Sequence, residues 1–272
     1  MKLTIYGTSS SEGFPSLFCQ CEYCTKARVL GGKSYRTRTG FCIDDEIMID
    51  FGPDVLAHTH MGLQLSKVKH ILFTHSHTDH LNINELHYII EPFASGRDGK
   101  ILHLYGNESV RNKLDRYFTE ERYKGSLEFH LIKGGDGFTI DGYSVMPVST
   151  YHDPNEDCLL YVIEKEGKTV LIGTDSSDYP EDALDRMYDY KYDLIIFDCT
   201  SIEKGSHFKN HMGLPDNKRM EKKLREHGCI TDDTKIAVTH FAHTFNPIHE
   251  HVEKAAGAYG YIAAFDGITF DL

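Results

Sequence analysis

The chain has 272 residues, of which 40% are hydrophobic and 26% are charged, a composition typical of soluble globular proteins. It contains no run of about 20 apolar residues, so the sequence predicts no membrane-spanning helix. The net charge of −12 disfavours binding to long nucleic acid, because such binding depends on lysine and arginine contacts to phosphates. A basic rim formed by Lys33, Arg36 and Arg38 could nevertheless hold a single phosphate group.

The amino terminus and the cysteines indicate the cellular compartment. Residues 1–7 alternate like a strand and lack the long apolar region of a secretory signal, which favours a cytoplasmic protein. Seven cysteines are an odd number, and three of them, Cys19, Cys21 and Cys24, lie within six positions. This spacing suits a metal site better than a disulfide framework.

Short apolar runs rich in β-branched residues predict strands along the whole chain. The first series lies at 2–7, 40–44, 46–51, 70–73, 101–105 and 127–132, and the second at 138–140, 143–150, 159–164, 169–173, 193–197, 235–239, 259–265 and 268–271. Helical patterns lie at 53–61, 84–93, 108–118, 181–188, 216–226 and 249–256.

The order of these elements predicts the architecture. Tight turns at Asp44-Asp45 and Glu166-Gly167 indicate antiparallel hairpins, and the chain runs as two similar halves of strands followed by strand-helix units. Two mixed sheets packed face to face with helices outside, an αββα sandwich of the α/β class, satisfy both observations. No repeat or Pro/Gly-rich linker marks a boundary, so we expect a single domain over 1–272.

The densest chemical signal follows the strand at 70–73. His75, His77, Asp79 and His80 lie within six positions in the loop after this strand, where ligand-bearing loops are usually found. A loop so short offers more donors than one metal ion can accept, so two ions side by side are the simplest interpretation. The alternative, an exposed histidine-rich turn, does not account for three histidines around an aspartate.

The motif resembles the H-x-H-x-D-H signature of the metallo-β-lactamase superfamily, and the likeness can be followed over nearly the whole chain. It implies that His75 and His77 bind one metal ion, and that Asp79 and His80 bind the second. By the same resemblance His152 completes the first site, His240 completes the second, and Asp175 bridges both ions. Each of these later residues ends a strand, where a turn residue or helix cap is the ordinary alternative.

The cysteine cluster is similar to that of one subgroup, the phosphonate-pathway accessory phosphodiesterases, which act on small cyclic phosphodiesters. Three thiolates leave a tetrahedral zinc ion one ligand short, and His243 is our prediction for the fourth ligand. The resemblance implies a structural zinc ion that ties the first loop to the loop of His240. Three unligated thiols in a loop are the alternative.

The same subgroup resemblance assigns catalytic roles. His211, preceded by Asn210, would reach into the site as a proton donor without binding metal, and Asp198 would orient it. A surface histidine and a turn residue are the competing interpretations. Together with the ligand Asp79, these two residues form the predicted catalytic set. His58 and His60 could line the rim of the pocket.

The sequence thus predicts a dinuclear metal-dependent phosphodiesterase for small, possibly cyclic, phosphodiesters. Manganese or zinc is expected at the active pair, with iron as a third option, and zinc at the cysteine site. A tRNA 3′-processing endonuclease, a thioester or lactone hydrolase, and a non-catalytic metal-binding protein are the alternatives. A homodimer is also expected, through exposed edge strands.

Overall fold

The computed structural model describes residues 1–97, 99–205 and 209–272. The first of its two sheets contains seven strands in the order β14-β1-β2-β3-β4-β5-β6. Its members are β1 Lys2–Gly7, β2 Gly40–Ile43, β3 Ile47–Ile49, β4 His70–Leu72, β5 Leu102–Gly106, β6 Leu127–Leu131 and β14 Ile268–Asp271.

The second sheet also contains seven strands, in the order β13-β12-β11-β10-β9-β8-β7. They are β7 Phe138–Ile140, β8 Tyr143–Thr150, β9 Cys158–Lys165, β10 Lys168–Gly173, β11 Leu194–Asp198, β12 Lys235–Thr239 and β13 Ile262–Ala263. Both sheets are mixed, and the predicted hairpins at Asp44-Asp45 and Glu166-Gly167 join antiparallel strands. The αββα prediction is confirmed.

The core explains why the sheets stack. Strands near the middle of each sheet read as continuous apolar runs, as in β9 to β11, because both of their faces are covered. One apolar cluster, which includes Leu3, Ile43, Leu72, Val145 and Ile172, fills the space between the sheets. Two further clusters lie on the outer faces, where the helices pack.

In the part of the chain that the structure describes, seven α-helices surround the sheets. They are α1 Glu22–Leu30, α2 Val55–His60, α3 Glu108–Lys113, α4 Arg116–Thr119, α5 Glu181–Met187, α6 Leu214–Glu226 and α7 His249–Gly257. Short 3-10 turns occupy Gly32–Ser34, Glu85–Ile89, Glu121–Tyr123, Ile202–Lys204 and His243–Phe245. Within the described ranges, no helix combines the length and apolar character that crossing a membrane requires.

Several predicted elements differ from the structure. The helix expected at 84–93 is only the 3-10 turn Glu85–Ile89, because Pro92 excludes helical geometry at the residue before it. The helix expected at 108–118 is split into α3 and α4, which lets Tyr117 turn inward and pack 4.5 Å from the ring of Tyr123. Of the strand expected at 259–265, only Ile262–Ala263 pairs with a neighbour. Helix α1 was not predicted.

Candidate metal centre

The predicted active-site ligands meet at one end of the sandwich, where five strands terminate. The loop Thr74–His80 follows β4, and the other ligands follow strands of the second sheet. His152 comes after β8, Asp175 after β10 and His240 after β12, while Asp198 ends β11. Because β10, β11 and β12 are parallel, their carboxyl ends lie at the same edge. Asp79 and His240, which are 161 positions apart in the chain, thereby bring their ligand atoms within 4.8 Å of each other.

Three histidines form the first group of donors. One nitrogen each from His75, His77 and His152 lies within 4.8 Å of the others. The ring of His75 is 4.4 Å from that of His77 and 4.7 Å from that of His152, measured between centroids. Three imidazoles so arranged form one face of a tetrahedral site and leave a further position open.

The second group contains Asp79, His80 and His240, whose ligand atoms also lie within 4.8 Å of one another. Asp175 lies between the groups: its Oδ2 is 3.1 Å from His80 Nε2, and its Oδ1 is 3.2 Å from His240 Nε2 and 3.7 Å from His152 Nε2. The two oxygens of Asp175 therefore face both groups, as a bridging carboxylate requires.

A second layer of side chains fixes the orientation of the imidazoles on the first-sheet side. His80 Nδ1 donates to Asp50 Oδ2 at 2.6 Å, and the Thr74 hydroxyl donates to the same carboxylate at 2.9 Å. The Thr74 oxygen in turn accepts from His75 Nδ1 at 2.9 Å. Because Nδ1 of both histidines makes these outer hydrogen bonds, Nε2 is the ring atom left to face the centre as a metal ligand.

Asp198 has the equivalent position on the second-sheet side. The hydroxyl of Thr200 donates to Asp198 Oδ2 at 3.1 Å and accepts from His240 Nδ1 at 2.9 Å. Asp198 also accepts hydrogen bonds from the backbone amides of Asp175, Thr200 and Met212. His240 consequently points its Nε2 into the centre, as His75 and His80 do.

The buried donor atoms provide a test of whether the site fits metal. Among the described residues, Nε2 of His75, His80 and His240 and Oδ2 of Asp175 are buried without a hydrogen-bond partner. Buried polar atoms are normally paired, so four such atoms on neighbouring side chains of the centre require an explanation. Nitrogen lone pairs with carboxylate oxygens are the donor set of zinc, manganese and iron. The histidine and aspartate clusters thus fit a pair of divalent ions.

Charge coupling inside the centre shifts several pKa values. Burial lowers the pKa of His75 well below its ordinary value, and nearby His80 acts in the same direction. For His80 and His240 burial also lowers the pKa, but Asp175 and other carboxylates outweigh it, raising that of His80 well above its usual range and that of His240 to about 9. Metal ions would displace these protons, because a ligating imidazole must be neutral.

Backbone geometry helps to aim the ligands. Asp50, Asp175 and His240 have φ angles of 63°, 55° and 66°, in the left-handed region that few non-glycine residues occupy. All three lie one or two residues after a strand, where the chain must turn sharply at the edge of the sheet. Such strain costs about 1 kcal/mol or more per residue and is concentrated at functional sites.

A cavity of about 510 Å³ opens onto the centre. Its described lining includes His77, Asp79, His211 and residues of two nearby loops, among them Ser10, Ser11, Glu12 and Thr244, but no described lysine or arginine. His211 borders the cavity, and its Nδ1 is 3.0 Å from Asp198 Oδ2. The structure therefore places His211 and Asp198 together beside the centre, and their predicted roles in proton transfer stay predictions.

The cysteine cluster is also assembled. The sulfurs of Cys19, Cys21 and Cys24 lie within 4.8 Å of one another, with Cys21 at the amino-terminal cap of α1. Helix α1 packs against the 3-10 turn that begins at His243. His243 Nδ1 donates to Glu12 Oε1 at 2.8 Å, and His243 borders the main cavity, so its role as the fourth ligand stays a prediction.

The basic rim predicted from Lys33, Arg36 and Arg38 is contradicted at Arg36. Arg36 is only 3% exposed and donates to Thr8 Oγ1 and to the Ala264 carbonyl, both at 2.8 Å, so it is not available to a phosphate. Arg38 pairs with Asp54, and the Lys33 ammonium lies 4.0 Å above the ring of Phe265.

The expected rim histidines also lie elsewhere. His58 is buried against Tyr6, with 5.9 Å between ring centroids. His60 lines a separate surface pocket with Phe265 and Asp266.

Sequence reasoning missed the residues that orient the ligands. Asp50, Thr200 and Glu12 were not singled out, although each contacts a predicted site residue. Asp50 carried a usable signal, because it directly follows the apolar strand β3, the neighbour of β4 in the first sheet. Thr200 and Glu12 lie in irregular loops, and nothing in the local pattern separates them from ordinary polar residues.

Comparison with known proteins gives the class. The family model described as a beta-lactamase superfamily domain matches residues 45–256, which is most of the chain. The chain therefore belongs to the metallo-β-lactamase superfamily of hydrolases.

Solved structures agree with this fold. The chain is similar to a diphosphatase from the PhnP family, with 22% identity and a TM-score of 0.76 over 100% of this chain and 97% of that chain. It is similar to YhfI from Bacillus subtilis (17%, TM-score 0.72, 99% and 98%) and to human tRNase Z, short form (14%, 0.68, 100% and 99%). No curated protein matches the sequence significantly.

Proposed function

We propose that the protein is a dinuclear metal-dependent phosphodiesterase acting on small, possibly cyclic, phosphodiesters. The observation that carries this proposal is the position of Asp175, whose Oδ1 is 3.7 Å from His152 Nε2 of the first donor group and whose Oδ2 is 3.1 Å from His80 Nε2 of the second. A carboxylate between two ligand groups holds two ions close together, the arrangement used to clamp a phosphoryl group in an in-line displacement.

The lining of the cavity supports a substrate with little charge. The polar groups of its described residues are hydroxyls, imidazoles, amides and carboxylates. These residues include no lysine or arginine that could neutralise a second phosphate. A phosphodiester carries one negative charge, which the ions themselves can balance. Long nucleic acid would require a basic track for its successive phosphates, and the net charge of −12 opposes one.

The chain's own residues supply orientation and proton transfer. Bound at the two groups, divalent ions would stabilise the phosphoryl oxygens and promote ionisation of the attacking water. Asp198 Oδ2 accepts a hydrogen bond from Nδ1 of His211 and so holds the ring beside the centre. From the cavity wall His211 can deliver a proton to the departing alkoxide, since imidazole is the side chain that most often serves in such proton transfers.

The ligand set leaves manganese, zinc and iron as candidates, and we propose manganese or zinc for the active pair. For the cysteine cluster we propose a structural zinc ion with His243 as fourth ligand. A cytoplasmic location, a homodimer and a single domain over 1–272 stay predictions from the sequence.

Matched substitutions in one loop test the proposed function. We expect the turnover of a bis-aryl phosphate by Asp175→Asn, reloaded with manganese, to fall at least about a thousandfold, because both ions lose the anionic ligand that they share. Asp178→Asn is the control: Asp178 lies three residues further along, is exposed and pairs with Arg219. Equal turnover by the two variants, or faster hydrolysis of an aryl monophosphate or a nucleoside diphosphate than of the diester, would contradict the proposal.

A further inference from the structure

A second group of histidines lies at the outer edge of the first sheet. His103 is on β5, and Glu128 and His130 are on the neighbouring edge strand β6. His103 is directly opposite Glu128 in the parallel register, and His130 is two residues further along the same face. These three residues are outside the described lining of the main cavity.

The donor atoms of this group are mutually close. His103 Nδ1 is 3.1 Å from His130 Nε2 and 3.5 Å from Glu128 Oε2, while His130 Nε2 is 3.9 Å from Glu128 Oε1. In a tetrahedral zinc site with bonds of about 2.0–2.2 Å, ligand atoms stand about 3.3–3.6 Å apart. The three observed separations bracket this range, so one ion can contact all three side chains with little adjustment.

Aromatic neighbours limit the movement of both imidazoles. His70 stacks on His103 with 5.3 Å between centroids, and Tyr105 stacks on His130 at 4.5 Å. Tyr105 is itself held from the other side by Phe138 of the second sheet, at 5.1 Å with nearly parallel rings. A site whose ligands are fixed by packing pays less entropy on binding than one on mobile surface side chains.

The group is also accessible. The side chains of His103, His130 and Glu128 are 30%, 35% and 52% exposed. An ion could therefore enter from solvent, and water could complete its coordination. Two imidazoles with one carboxylate favour zinc, copper or nickel over the oxygen-seeking calcium and magnesium.

We propose that His103, Glu128 and His130 form a peripheral binding site for a divalent transition-metal ion, with zinc as the principal candidate. The ion would join the edge strand β6 to β5 through side chains, in addition to the backbone hydrogen bonds. It would thereby stabilise a sheet edge that has no strand on its other side among the described residues. This site is independent of the proposed phosphodiesterase reaction.

Zinc counting on the full-length protein tests the site. Wild type saturated with zinc at the active centre and the cysteine cluster is equilibrated with low micromolar free zinc, and its metal content is measured. We expect His103→Gln and Glu128→Gln each to hold one zinc ion fewer than wild type. His251→Gln is the matched control, because His251 is 32% exposed and pairs with a carboxylate, Glu203 at 3.2 Å. It should hold as much zinc as wild type.

Thermal unfolding of Glu128→Gln gives a second test, which stays valid even if His103→Gln folds poorly. Glu128→Gln alters a half-exposed side chain. After a chelator has removed the metal ions, the Tm of this variant should equal that of wild type. Added zinc should raise the Tm of wild type and His251→Gln more than that of Glu128→Gln. Equal zinc content in wild type, His103→Gln and Glu128→Gln overturns the proposal. A zinc-dependent rise in Tm that is the same in all variants overturns it as well, leaving an imidazole–imidazole hydrogen bond as the account of the 3.1 Å contact.

Discussion

The dinuclear centre and the cysteine cluster are both proposed metal sites, yet the protein builds them differently. In the centre, His75, His80 and Asp175 are almost completely buried, and the outer nitrogens of both histidines are bonded to Thr74 or Asp50. In the cluster, Cys19 and Cys21 are half-buried, and the hydrogen bonds to their sulfurs come from backbone amides only two or three residues away.

This difference separates a long-range site from a local one. The centre draws its ligands from both sheets and depends on second-layer residues far apart in the chain. The cluster draws its three thiols from six consecutive positions at the start of α1. We therefore expect substitutions around the centre to affect the reaction strongly, and substitutions in the cluster to affect stability instead.

Among the residues that are not proposed metal ligands, the largest effect on turnover is expected at His211, the proposed proton donor at the edge of the centre. His211→Asn should reduce kcat for an alkyl leaving group about 100- to 10,000-fold, because a departing alkoxide requires a proton. The loss should be much smaller for nitrophenolate, and the metal content should not change. An equal loss with both leaving groups would assign His211 a positioning role. His227→Asn, at an exposed histidine stacked on Tyr188, is the control.

A smaller effect is expected one layer further out, at Asp50. Asp50→Asn replaces an acceptor of the His80 Nδ1 proton with an amide that can present a donor to the same nitrogen. We expect affinity for the second ion to fall about 10- to 100-fold, as for other partners of metal-ligating histidines. Chelator competition measures this change. Affinity equal to that of the Asp178→Asn control would show that Asp50 does not orient the ligand.

In the cysteine cluster we expect the reverse pattern. Cys21→Ser should lose one zinc ion and lower the Tm by about 2–4 °C for each kcal/mol of stabilisation lost, while turnover by the reloaded active pair changes only a few-fold. Metal analysis and thermal unfolding check both parts, with wild type stripped of zinc as the reference. A zinc content of Cys21→Ser equal to that of wild type would contradict the proposed zinc site.

His58 can be compared with the histidines of the two proposed metal sites, because it is a buried histidine that belongs to neither site. Burial lowers its pKa to about 4, although Asp54 acts in the opposite direction, and its Nε2 is 3.0 Å from Thr37 Oγ1. A depressed folded-state pKa means that stability is lost as the pH falls below about 6.5, since the unfolded chain takes up the proton first.

His58→Gln removes this proton uptake and should leave turnover at pH 7 unaltered. Its stability should therefore decline less steeply than that of wild type, by about 2 kcal/mol between pH 7 and pH 5. Denaturant unfolding at the two pH values measures the difference. Parallel declines in the two proteins would indicate that His58 is already charged in the folded state.

The sequence was most informative where a physical pattern is local. Alternating and continuous apolar runs located nearly every strand, because burial on one or both faces of a sheet imposes those periods directly. The loop of residues 75–80 predicted a metal site directly, because donor side chains are concentrated in it. Helix α1 was not predicted, because Cys19, Cys21 and Cys24 were interpreted as metal ligands and the segment after them was not considered as a helix.

Other features depended on which strands become neighbours. The sequence by itself determined the strands, the αββα class and the ligand types, since these follow from periodicity and donor chemistry along the chain. Only the tertiary structure decided that Asp50 and Asp198 orient ligand histidines, that Arg36 is buried, and that His103 meets His130. Strand order and register set these contacts. The local sequence around each residue does not indicate which residue it will contact.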